Sequence, residues 1–155
     1  RRFAYEEGIR SPFVLRYPAL ANAGATVSEL VLALDIAPTM VELAGGKPAA
    51  RVQGRSLLPL LKGRPSGWRR SFLIEYFTDT VFPRIRNMGY VAARTSRYKY
   101  ISYRELQGMD ELYDLEADPY EMSNLIGTAQ GRALLPALQA ELARLQQRSG
   151  YVSSP

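Results

Sequence analysis

Hydrophobic and polar positions change period several times along this chain. Phe13-Val14-Leu15 is a short apolar run between Pro12 and Pro18 and reads as a strand. Ala21 to Ala25 carries Asn and Gly and reads as a turn. Within Val27 to Leu43 the period becomes helical. Asp35 is a candidate N-cap, Pro38 sits in the first turn, where a missing N–H costs little, and Ile36, Met40 and Leu43 share a face. Gly45-Gly46 stops that helix, because glycine takes positive φ cheaply. Ser56 to Leu61 reads as a second, short helix with Ser56 as cap and Gly63 beyond its end.

After a polar connection around Trp68 the pattern turns to strands. Ser71 to Phe77 reads as a buried strand, and Thr78 to Gly89 as a long loop carrying Pro83, Arg84, Arg86 and Asn87. Tyr90 to Arg94 and Tyr98 to Tyr103 are close enough to form an antiparallel hairpin. Tyr98 and Tyr100, two apart, share one strand face and read as core. Leu112 to Leu115 is a further strand, broken at Asp118-Pro119, and Glu121, Asn124 and Leu125 read as one short helical turn. Leu135, Leu138, Leu142 and Leu145 form the apolar stripe of a last helix, predicted over Leu135 to Arg148. Pro136 makes Ala129 to Leu134 a separate turn or kinked lead-in. The predicted class is α+β: a small antiparallel sheet of about four strands packed by a C-terminal helix. A strand-helix segment precedes it, and Phe13-Val14-Leu15 suits a buried strand at the edge of a larger α/β sheet.

Composition narrows the chemistry. The 155 residues are 46% hydrophobic, enough for a real core. Cysteine and histidine are both absent. That excludes disulfides, thiolate chemistry, a Ser-His-Asp hydrolase and a conventional zinc enzyme. No apolar run approaches the roughly 18 residues of a membrane span. The first seven residues do not form a signal peptide, and the missing initiator Met reads as a cut chain. The net charge of +5 suits a polyanionic partner, or reflects an excess of ordinary surface arginines. The cations are dispersed and no recognition helix or RNA motif is present, so nucleic acid is not an expected partner.

Five segments, in order, resemble the sulfatase family. They are Phe3 to Pro12 with its Tyr-Glu-Glu and Arg-x-Pro, and Asp35-Ile36-Ala37-Pro38-Thr39. Gln53 to Leu61, Arg94 to Ile101 and Glu111 to Leu125 follow. The resemblance implies a formylglycine-dependent hydrolase of sulfate esters in the alkaline-phosphatase superfamily. It also implies a calcium ion that polarises sulfate oxygens, with basic residues neutralising the rest. The family's Cys/Ser-x-Pro-x-Arg motif is missing, and the nearest look-alike, Gly63-Arg64-Pro65-Ser66-Gly67, has glycine at both key positions. The expectation is therefore a C-terminal portion, inactive alone. Its formylglycine and calcium belong to a missing N-terminal catalytic domain, and this chain holds no catalytic residue and no metal ligand.

On that reading, 1–66 is the tail of the α/β core domain, 67–150 the C-terminal subdomain and 151–155 a flexible tail. Arg1 stands about where the family places a sulfate-binding Lys, and Arg84 and Arg86 are candidates to touch the substrate. Glu6 and Glu7 read as a tether to nearby arginines rather than an acid/base pair. Expected partners are the missing domain and a sulfated small molecule or glycan, with no membrane. The compartment is open, a periplasmic or secreted parent being compatible. Two alternatives remain: a stand-alone polyanion- or glycan-binding module, and a fragment of a superfamily phosphodiesterase or phosphonate hydrolase.

Overall fold

The computed structural model describes residues 3–63, 66–77 and 83–150. The chain divides into two compact units, Arg1–Ser11 with Ser71–Pro155, and Pro12–Arg70. No helix among the described residues is long and apolar enough to cross a membrane.

The first unit is built on strands β1 (Ser71–Tyr76), β2 (Tyr90–Thr95), β3 (Tyr98–Tyr103) and β4 (Glu111–Asp114), preceded by the short helix α1 (Glu6–Ile9). The strands run β1-β2-β3-β4, each antiparallel to its neighbour. Ser96-Arg97 is the whole hairpin link between β2 and β3, and the Thr95 hydroxyl closes it by accepting from the Tyr98 N–H at 2.8 Å. β2 and β3 are covered on both faces. On one, Val91, Ala93, Tyr100 and Leu112 meet Leu138 and Leu142 of helix α4 (Ala129–Ser149). On the other, Tyr90, Ala92, Ile101 and Tyr113 pack with Ala4. The two-residue period of a strand sorts these sets, so both central strands carry apolar side chains at successive positions.

Helix α4 is one element where the sequence pattern predicts a break. It starts at an N-cap, Thr128, whose hydroxyl accepts from the Gly131 N–H at 2.9 Å, and ends at Gly150 in the left-handed region. Pro136 lies inside it. An interior proline costs about 3 kcal/mol through its lost hydrogen bond and ring clash. Leu134, Leu135, Leu138, Leu142 and Leu145 pack against the sheet on both sides of it. At about 1.5–3 kcal/mol per well-buried leucine, that packing outweighs the proline.

Two other expectations are corrected. Phe13-Val14-Leu15 forms no strand, and Val14 is 91% exposed. A strand needs a partner edge, and the described residues offer this segment none. The segment after Asp118-Pro119 is not a helical turn, because Glu121 adopts a positive φ of 56°. Instead it finishes the sheet edge. The Leu125 N–H donates to the Leu112 carbonyl at 2.8 Å, and the Asn124 side-chain oxygen accepts from the N–H groups of Leu112 and Ile126 at 3.0 Å.

The second unit, Pro12–Arg70, carries a 3-10 turn (Ala33–Asp35), α2 (Ile36–Leu43) and α3 (Leu58–Leu61). Asp35 precedes α2 but does not cap its first turn with its side chain. The buried carboxylate accepts from the N–H groups of Leu32 and Arg55, each at 2.8 Å, and pairs with Arg69. Thr39 donates to the Asp35 carbonyl and accepts from the Leu57 N–H at 2.8 Å, tying α2 to the start of α3. Gly54 is required here, since a Cβ at that position stands 1.9 Å from the Leu34 carbonyl oxygen.

Candidate functional site

The three residues singled out as substrate contacts are unequally placed. Arg1 lies outside the described residues. Arg84 belongs to a 3-10 turn, Pro83–Ile85, and Arg86 follows it; both are exposed. Asn87 then takes a positive φ of 60°, a conformation that asparagine tolerates. The loop is pinned where it enters β2: the Gly89 N–H donates to Glu105 at 2.8 Å, and the Gly89 carbonyl accepts from the Arg104 N–H at 2.8 Å. Arg104 also lies over the ring of the exposed Phe77, 5.0 Å from its centre. The structure therefore presents two arginines on one anchored loop at the end of the sheet.

The most built-up polar arrangement lies elsewhere in the same unit, on the sheet face that meets α1. Lys99 of β3 is fully buried. Its ammonium reaches Glu121 at 2.7 Å, Glu6 at 2.9 Å and the Ala4 carbonyl at 2.7 Å, which uses all three of its N–H donors. Glu121 also accepts the Glu6 backbone N–H at 2.5 Å. Arg94 of β2 pairs with Glu6 at 3.2 Å. Two cations and two carboxylates thus form a neutral cluster, and it holds residues 4–6 against the sheet. Burial alone raises a carboxylate's pKa, but hydrogen bonds from Arg94 and Lys99 outweigh it and hold Glu6 below its ordinary value.

Glu6 was legible as a tether; Lys99 and Glu121 were missed. The signal for Lys99 was its register, because it lies between Tyr98 and Tyr100 and so points to the opposite face. A lysine on a buried face demands a carboxylate. The left-handed Glu121 that supplies it has no local sequence signature.

Beside this cluster, Glu111 collects three phenols. Tyr113, Tyr103 and Tyr5 donate to it at 2.8, 2.9 and 3.2 Å. Burial first, then the carboxylate, raises the pKa of all three. Tyr90, stacked on Tyr76 with ring centres 5.6 Å apart, is pushed up to about 12, mainly by burial. At the hairpin, Arg97 grips Asp114 with two N–H groups at 3.0 and 2.7 Å, which lowers the Asp114 pKa.

None of these groups is placed as a nucleophile with its base. Among the described residues no group of three or more Asp, Glu, His or Cys side chains could hold a metal ion. The donor set among the described residues does not fit a calcium site.

A four-stranded antiparallel meander with a C-terminal helix on one face and residues 4–6 clamped to the other makes a small α+β domain. The chain belongs to the family described as N-sulphoglucosamine sulphohydrolase, C-terminal, which it matches over residues 1–148. It is 34% identical over 133 residues to an N-acetylglucosamine-6-O-sulfatase of Bacteroides thetaiotaomicron, covering 84% of this chain and 24% of that protein. Among solved structures it is similar to a protein in complex with its substrate D-glucosamine-2-N,6-O-disulfate. That likeness has a TM-score of 0.78 at 30% identity and covers 85% of this chain and 27% of the other. It is also similar to a phosphonate monoester hydrolase of Agrobacterium radiobacter, with a TM-score of 0.60 at 28% identity, covering 76% and 25%. The chain spans about a quarter of the length of the curated relatives it matches.

Proposed function

We propose that the enzyme containing this domain hydrolyses a sulfate ester on an amino sugar. In this reading the domain helps form and hold the substrate pocket without supplying the nucleophile. The observation that carries the proposal is the likeness, over 85% of the chain, to a protein solved with a disulfated glucosamine. The relationship to an N-acetylglucosamine-6-O-sulfatase supports the same substrate class.

The chain's own residues support the division of labour. It has no Cys, no His and no Ser-x-Pro-x-Arg. The formylglycine and the calcium are assigned to the part of such an enzyme outside these residues. What this chain can offer a sulfate group is positive charge, and the exposed Arg84 and Arg86 are the candidates, together with Arg1. An arginine suits the role, since its planar fork matches two oxygens of an oxyanion at once.

Sulfate release from N-acetylglucosamine 6-sulfate, measured with the full-length enzyme and with the 155-residue chain alone, tests this reading. Turnover by the full-length enzyme and none by the chain is expected. Turnover by the chain alone overturns the division of labour. A second reading, hydrolysis of phosphonate or phosphate esters, is favoured by the likeness to a phosphonate monoester hydrolase. A higher kcat/KM for a phenylphosphonate ester than for the sulfated sugar decides for it.

A further inference from the structure

We infer that Lys99 is a positioning residue: with Glu6, Glu121 and Arg94 it forms a buried clamp that fixes residues 4–6 on the sheet. This rests on the function proposed above, in which the domain helps form and hold the substrate pocket.

Four observations point to a clamp rather than incidental packing. Lys99 spends its donors on three separate chain positions, Ala4, Glu6 and Glu121, the first two of which lie about a hundred residues away in sequence. One of them is a backbone carbonyl, so the lysine holds the path of the chain as well as a side chain. Glu121 grips the same segment independently, through the Glu6 N–H, and adopts a left-handed conformation to do so. Positive φ in a non-glycine residue is costly and persists where surrounding contacts impose it. The cluster is also complete: its two cations and two carboxylates cancel, and a fully satisfied buried polar network selects one arrangement over its alternatives.

The clamp has a functional reading because of what it joins. The N-terminal segment lies against β2 and β3, and β2 emerges directly from the loop that carries Arg84 and Arg86. A loosened clamp frees the incoming chain from the sheet and so from the arginine loop. Displacing a binding group by about 1 Å can cost up to a hundredfold in rate. Lys99 touches no substrate in this account; it acts through the segment it holds.

The test uses the full-length enzyme with N-acetylglucosamine 6-sulfate. Lys99→Met removes the clamp but leaves two facing carboxylates, and that variant can fail to fold. Lys99→Met combined with Glu121→Gln removes one charge of each sign and keeps the cluster neutral. For this double variant we expect KM to rise about tenfold with a smaller change in kcat. Amide hydrogen exchange at residues 6–10 should accelerate, while exchange at Val91–Ala93 in the core stays slow. Lys99→Arg, which keeps the charge and several donors, should recover part of the KM. A folded double variant with wild-type KM overturns the positioning role and leaves the proposed function standing. So does faster exchange at residues 6–10 with no change in KM. A wild-type enzyme that releases no sulfate from any sugar ester overturns both.

Discussion

Single residues in this chain are tuned by burial working against nearby charge, and the balance has consequences for pH. Glu6 is held below the ordinary value of 4.5 by Arg94 and Lys99 despite its burial. Its folded pKa lies under its unfolded one. The stability it contributes is therefore complete above about pH 4.5 and lost as pH falls through the folded value. Glu6→Gln should be less stable than wild type near neutral pH, by about 1.5–3 kcal/mol, the usual worth of a hydrogen bond to a charged group. The two should converge in strong acid, and urea midpoints measured at both ends of that range check it. Tyr90 runs the other way. Its folded pKa, pushed up to about 12, exceeds the ordinary 10.0. The stability it contributes is present below 10 and lost as pH rises through 12. Titrating phenolate absorbance should show a step near pH 12 that loses one tyrosine's amplitude in Tyr90→Phe. Neither shift was legible in sequence, because each depends on residues far away along the chain that fold against the group. The registers that bring them there were legible: Lys99 sits opposite Tyr98 and Tyr100 by simple alternation.

Elements were readable where the determinants are local and misread where packing decides. The β2–β3 hairpin follows from two apolar runs separated by a polar link, and the structure pairs Ala93 with Tyr100 across it. The four-stranded sheet and the covering helix follow from the same kind of pattern. The start of α4 did not, because Pro136 is a strong local signal and the leucines flanking it are a stronger, non-local one. Phe13-Val14-Leu15 was misread for the converse reason: its composition suits a strand, but a strand is defined by a neighbour. Gly131 shows how tightly α4 is docked. In an exposed helix, replacing glycine by alanine gains about 1 kcal/mol. Here the added Cβ stands 1.8 Å from the Leu125 carbonyl oxygen, a clash that only a backbone shift relieves. Overpacking of that kind costs about 1–3 kcal/mol, so Gly131→Ala should destabilise the protein on balance. Gly127→Ala is the internal control, because no atom lies within 4 Å of its Cβ. Thermal melts of the two variants should move apart, with Gly131→Ala the lower.

At the scale of the whole molecule, the recognisable segments and the chemistry occupy different places. The five family-like segments contribute to β3, β4, the end of β2, α2, α3 and the clamp, whereas the arginines proposed to meet a sulfate are dispersed. That explains why the fold could be read closely and the site only as candidates: packing repeats along a sequence, and a surface cation leaves no pattern. Arg84 and Arg86 are the place to test this. If both face the sulfated sugar, each supplies a charge-assisted hydrogen bond worth about 1.5–3 kcal/mol, so removing one contact costs roughly tenfold or more in binding. The full-length Arg84→Ala/Arg86→Ala variant should then show a KM for N-acetylglucosamine 6-sulfate raised at least about tenfold at nearly constant kcat. That is the pattern of lost uniform binding rather than lost transition-state stabilisation. The unfolding midpoint should stay put, since exposed substitutions rarely move stability by more than about 0.5 kcal/mol. Salt supplies an independent check. Exposed charges are screened over a Debye length of roughly 8 Å at physiological ionic strength. The wild-type KM should therefore climb more steeply with added salt than that of the variant. Parallel salt dependences with an unchanged KM return both arginines to the solvated surface and leave the pocket's positive charge to other residues.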